Sequence, residues 1–207
     1  MSDITPEESE QLKELYAHMG AAMSCAADLE VGLIHALMVL DFLSGYAERI
    51  RREGMKNFDR PTYERQFDEF FADHQRLPMG ELIKRFEKFA GSETKLVDQL
   101  RDMLKTRNFL AHHFFRERAA TITNWSGRAS MIEELRRAQA AMQEALDGVE
   151  AFAEPVRKRL GFDEKAIGAH VEACIRAATA GEPLPEFKRR GTTHEYQKSS
   201  SCTAPCW

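Results

Sequence analysis

Apolar residues recur every three to four positions along almost the whole chain, and no stretch alternates β-branched and polar residues as a half-buried strand would. That pattern predicts an all-α fold, an up-and-down helical bundle with long antiparallel helices. The one β-leaning piece is the short Thr121-Ile122-Thr123. At 207 residues the chain suits one domain and a tail. It is long enough to bury a core without disulfides or metal staples. The helical pattern assigns residues 1–180 to the bundle and 181–207 to a flexible tail, where Pro183, Pro185, Lys188, Arg189, Arg190 and the Ser199-Ser200-Ser201 run present no apolar face.

Capping chemistry sets the expected boundaries. Thr5-Pro6-Glu7-Glu8 carries a capping box with proline at the first helical position, and the helix it opens runs through Leu12, Leu15, Met19, Leu29, Leu33 and Leu37 to about Leu43, with Gly20 or Gly45 as its break. Asn57 to Pro61 reads as a loop, after which Thr62 caps a helix through Phe67, Phe70 and Phe71. Leu77 to Gly80 reads as a turn before a short helix from Glu81 to Phe89. Ser92 is the expected cap of a helix from Glu93 to about Phe115. Ala119 to Gly127 reads as a loop, and Ser130-Met131-Ile132-Glu133 as a second capping box opening a long helix that Pro155 kinks or ends and Gly161 stops. A last helix spans Asp163 to Ala180.

Composition narrows the function classes. A formal net charge of −4 makes the chain no generic binder of nucleic acid, so any RNA contact has to be local. Cys25 and Cys174 sit in apolar helical patterns, while Cys202 and Cys206 lie in the tail. Four cysteines without regular spacing do not make a disulfide framework. Asp3, Glu7 and Glu8 stand where a signal peptide needs positive charge, and the apolar run from Val31 to Leu40 contains His35 and is short for a membrane span. The expectation is a cytoplasmic protein with no membrane partner.

The helix around residues 96–115 carries the candidate chemistry. On a helical wheel Leu96, Leu100, Met103, Leu104, Leu110, Ala111, Phe114 and Phe115 share one stripe. Arg107 falls near its middle, Asn108 at its edge, His112 just beyond, and His113 on the far side. An Arg on a packed face loses hydration, so it must meet an acid, a phosphate or a dimer partner. Glu30 of the first helix is the acid for a plain structural ion pair. Phe109, on the polar side, reads as a dimer contact, and His35 as a core or interface histidine. Neighbouring His112 and His113 point about 100° apart, so they do not chelate one metal, and no metal or cofactor is expected. The clusters Arg49, Arg51, Arg52 and Arg157-Lys158-Arg159 read as solvated helix faces.

Leu104-Lys105-Thr106-Arg107-Asn108-Phe109-Leu110-Ala111-His112 resembles the signature helix of the HEPN superfamily, whose motif is Arg, a polar residue, a few residues, then His. The resemblance covers roughly Leu12 to Leu160 in architecture and about a dozen residues in detail. It implies a dimerising bundle of four or five helices that brings two motifs into one cleft. In active members that cleft cleaves RNA without metal, by attack of the ribose 2′-OH on the adjacent phosphorus. The carried-over roles are His112 as proton-transfer group, Arg107 as stabiliser of phosphoryl charge, and Asn108 as phosphate contact or orienter of His112. The implied partners are a second copy, an RNA substrate, and an antitoxin or other protein. A catalytically silent dimeric module on the same scaffold is the alternative.

Overall fold

The computed structural model describes residues 5–91, 93–162 and 164–185, with no strand among them. Residues through Gly161 form one compact unit, and Phe162 onward belongs to a second that contains the last helix. The elements are α1 (Pro6–Leu37), a π-helical stretch (Met38–Leu43), α2 (Ser44–Glu53), α3 (Arg60–Gln75), α4 (Met79–Ala90), α5 (Thr94–His112), α6 (Phe114–Glu117), α7 (Trp125–Arg159) and α8 (Glu164–Ala180). The cap expected at Ser92, the helix start at Asp163, and Cys202 and Cys206 lie outside the described residues.

The chain alternates up and down. The π-helical stretch and α2 meet α3 in antiparallel order, through Phe42 with Phe67 and Phe70 and Tyr46 with Tyr63. α4 and α5 pair Gly80 with Leu104 and Glu87 with Arg101. α5 then descends along both long helices, with Arg107 against Glu30 of α1 and Leu96 against Gly148 of α7. The first and last long helices of this unit consequently run parallel. Gln11 meets Arg128, His18 meets Gln139, and Gly32 meets Leu146. Between these elements lies one apolar core. Leu15, Leu29, Leu33, Leu37, Leu82, Phe86, Leu100, Phe114, Met131, Leu135, Met142 and Val149 are all under 2% exposed. Each such side chain stabilises the fold by about 1.5–3 kcal/mol.

The capping box at Thr5 and Glu8 forms as the sequence indicates, with Glu8 N–H donating to Thr5 Oγ1 at 3.2 Å and Thr5 N–H to Glu8 Oε2 at 3.1 Å. Gly20 and Gly45 do not break the first helix. It passes through a wide turn at Met38–Leu43, where Ser44 N–H and Oγ both reach the Val39 carbonyl, and ends at Gly54 with φ +81°. An 18-residue window of this continuous helix has mean hydropathy 1.6, enough by length and composition to cross a membrane. That corrects the expectation of too short an apolar run, because alanines and methionines extend it. Its Leu29, Leu33 and Leu37 pack inward against the bundle, while 39% of the apolar window as a whole is buried. α3 starts at Arg60, with Pro61 in its first turn and Thr62 inside, and α4 starts directly after Pro78.

α7 begins at Trp125, ahead of the expected start at Ser130. The Asn124 side chain accepts the Gly127 N–H at 2.8 Å and caps the helix. Gly127 is there because a β-carbon would overlap the Thr121 carbonyl oxygen. A residue that reads as a loop former is the close-approach point of a helix. Thr121–Thr123 forms a 3-10 turn, not a strand. Pro155 sits inside α7 without ending it. Ala153 is 1% exposed and Phe152 packs edge-on to Phe86 at 5.2 Å, and these contacts hold the last turns.

These close approaches separate the glycines. Gly127→Ala should cost about 1–3 kcal/mol through overpacking against backbone. Gly45→Ala, at a helical position where a β-carbon meets nothing within 4 Å, should stabilise by about 0.5–1 kcal/mol. Thermal or urea melts of the two variants check this, and equal effects would refute the close approach of Gly127 to Thr121.

Candidate functional site

The end of α5 carries the Arg107-Asn108-His112 set. Leu100, Met103 and Leu110 are buried on the same stripe, so α5 is held rigidly along one face. Arg107 lies on that stripe and is 34% exposed in its side chain, facing Glu30 at 29%. Its Nε sits 3.5 Å from Glu30 Oε1, and its Nη1 donates to Asn108 Oδ1 at 3.3 Å. Asn108 and His112 are exposed and one helical turn apart. Arg107 thus meets the acid the wheel indicated, at the outer edge of the core and still touched by water.

Past His112 the wheel no longer applies. His113 leaves the helix with φ −126° and ψ −29°, and the chain re-enters a short turn at Phe114, whose ring is fully buried. His113 Nδ1 accepts from Arg116 and lies 4.0 Å from Glu117, so it is a local cap with partners of its own. The His112 and His113 rings stand 6.3 Å apart and nearly perpendicular. Among the described residues no three His, Cys, Asp or Glu side chains gather as a metal-holding group. Phe109, expected as a dimer contact, packs within the chain. It sits edge-on to Phe114 at 6.0 Å, with the Arg118 guanidinium 5.5 Å from its centroid, because the ring reaches back over the turn that follows α5.

Two polar centres escaped the sequence reading. Arg128 is 3% exposed and donates to Gln11 Oε1 at 2.7 Å and to the Ile122 carbonyl at 3.1 Å, while Gln11 Nε2 donates to the Trp125 carbonyl at 3.0 Å. This network locks the first turns of α1 and α7, and the loop expected over 119–127 hid its helical register. His74 is also buried. Arg85 donates to its Nε2 at 2.8 Å, leaving Nδ1 to donate to the Phe70 carbonyl at 2.7 Å. Both centres have satisfied hydrogen bonds and read as structural.

No family model, curated protein or solved structure matches the chain.

Two measurements follow from this geometry. A half-exposed pair at 3.5 Å should couple weakly, so a double-mutant cycle of Arg107→Ala and Glu30→Gln should give less than about 1 kcal/mol of interaction in stability. A much larger coupling would make the pair a structural keystone. His35, read from sequence as a core or interface histidine, is exposed but packs edge-on to Phe71 at 6.0 Å, and partial desolvation against the protein holds it below the usual imidazole value of 6.5, offset in part by nearby Glu150. Its resonances in an NMR titration should therefore have a midpoint below 6.5. Because the unfolded chain then binds that proton more readily, its contribution to stability is lost as pH falls below 6.5.

Proposed function

We infer that the chain is a HEPN-like, metal-independent endoribonuclease of the cytoplasm, acting as a homodimer and as a toxin or defence effector. The observation that carries this reading is the polar patch at the end of α5. Asn108 and His112 are open to solvent, and Arg107 is held in place by Glu30 without being enclosed. The roles are those the resemblance assigns. His112 moves the proton of the ribose 2′-OH or of the leaving oxygen. Arg107 balances charge growing on the phosphoryl oxygens. Asn108 hydrogen-bonds the phosphate or orients His112.

Local charge supports RNA as the substrate. Arg101, Lys105 and Arg118 are tied to Glu87 and Asp98, to Asp102 and to Glu134, which leaves the loosely held Arg107 and Arg116 as the cations that meet a phosphate. The dimer reading is supported by the face of α1 beside the patch. From Ala17 to Ala27 α1 has no Asp, Glu, Lys or Arg, and Ala17, Gly20, Ala21, Ser24 and Ala27 are exposed. An uncharged, small-residue face lets a second α1 approach closely, and two-fold pairing there would set two motifs near one axis. The silent-module alternative draws its support from the Arg107–Glu30 pair, which also makes sense as a structural tie. An antitoxin or other protein partner belongs to both readings.

The deciding experiment is RNA cleavage by purified protein in EDTA. Cleavage should persist, should spare an all-DNA analogue, and should fall about 10²–10⁴-fold in His112→Ala. Arg107→Ala should also lose activity, and His113→Ala should retain it, since His113 is engaged with Arg116 and Glu117. Gly20→Arg, at a helical position with open space around it, should keep the fold but yield a monomer by light scattering and abolish cleavage. Unchanged cleavage in His112→Ala, or no cleavage of any RNA, would leave the silent module.

A further inference from the structure

Trp125 opens α7 with its indole 55% exposed, although its backbone is held from several sides. Its carbonyl accepts from buried Gln11, Asn124 caps the same turn at Gly127, and Arg128 ties that turn to Gln11 and Ile122. The fold thus fixes the residue yet forgoes burial of its largest apolar side chain type. Tryptophan, with tyrosine and arginine, is enriched among the residues that anchor protein interfaces.

The ring borders a groove of about 440 Å³ between the first turns of α1 and α7. Ile132 and Ala129 line its floor, and Ile132 is 5% exposed. Along one wall stand Glu7, Glu10 and Glu14, about one per helical turn. Arg136 on the opposite side is already bonded to Glu14 at 3.0 Å. Glu10 meets Lys13 of its own helix in an exposed pair that neutralises little, and Glu7 has no ion pair among the described residues. The groove therefore combines an apolar floor, an aromatic edge and a negative wall. That wall repels phosphate backbones and attracts Lys and Arg. An arginine or lysine lying between the indole face and Glu7 would gain both a cation–π contact and an ion pair.

We propose that this groove docks a basic amphipathic segment of a protein partner, its apolar side chains on Ile132 and Trp125 and its cations against Glu7 and Glu10. The inference stands apart from the nuclease reading, since none of these residues belongs to the α5 patch.

The test uses the full chain with Trp207→Phe, so that Trp125 is the sole tryptophan. The probe is a short helical peptide of leucine and lysine. A leucine and glutamate peptide of the same apolar pattern is the control. The basic peptide should bind with a shift in Trp125 emission, and the acidic one should not. Glu7→Lys with Glu10→Lys should raise Kd at least about tenfold, as should Trp125→Ala read by labelled peptide. The matched charge reversal Glu48→Lys with Glu144→Lys should leave Kd within about twofold. Circular dichroism confirms that each variant is folded. Equal binding of both peptides, or equal loss in the matched reversal, would overturn the proposal. So would loss of a dimer in Trp125→Ala without peptide binding, which would assign the groove to a second copy.

Discussion

The parallel packing of α1 on α7 is the constraint on which the rest of the bundle depends. Two helices of 32 and 35 residues share one seam, and their like ends lie together. Aligned macrodipoles repel, so this arrangement needs charge at both ends. Glu7 and Glu8 sit in the first turn of α1, and Arg157, Lys158 and Arg159 in the last turn of α7. α5, running the opposite way against both, contributes the compensating antiparallel dipole. Small residues set the spacing. A β-carbon on Gly32 would overlap Leu146, and one on Gly148 would come within 2.8 Å of a Leu96 methyl.

The seam also decides where the polar patch can be. Because α5 descends between two helices that ascend, Arg107 comes level with Glu30 of α1, and α6 just beyond it reaches the earlier part of α1, where the Phe115 and Tyr16 rings lie tilted with centroids 5.3 Å apart. Glu30 is then the α1 carboxylate within reach of Arg107. Had the two long helices been antiparallel to each other, α5 could have been antiparallel to only one of them. The alternation of five segments, not any property of the motif, places Arg107, Asn108 and His112 next to the uncharged stretch of α1.

Much of this is legible in the sequence where one local signal speaks alone. The Thr5–Glu8 capping box, the inward stripe of Leu29, Leu33 and Leu37, and the meeting of Arg107 with Glu30 all follow from periodicity and charge. The start of α7 does not, because Gly127 looks like a loop residue until the Thr121 carbonyl is placed beside it, and the partner of Arg128, Gln11, lies on another helix. The same limit applies to His113. A wheel extrapolates a helix to about Phe115, but α5 ends at His112, three residues earlier, and the chain turns there to bury Phe114. The wide turn at Met38–Leu43 is equally silent in sequence. Phe42 there meets Tyr46, Tyr63, Phe67 and Phe70, an aromatic cluster shared by the π-helical stretch, α2 and the α3 that folds back on them.

The Arg107–Glu30 pair bears on what the patch can do. A guanidinium sealed in the core by an acid would be spent on folding, since freeing it would leave the carboxylate buried and unpaired. At 3.5 Å and with about a third of each side chain open to water, the pair is of the weak, screened kind. Such a contact restricts the rotamer of Arg107 without neutralising it, and the bond to Asn108 fixes the guanidinium from its other side. A phosphate approaching the end of α5 would meet an oriented cation whose hold on Glu30 costs little to exchange. That is the condition under which one arginine can serve both the fold and an anionic ligand.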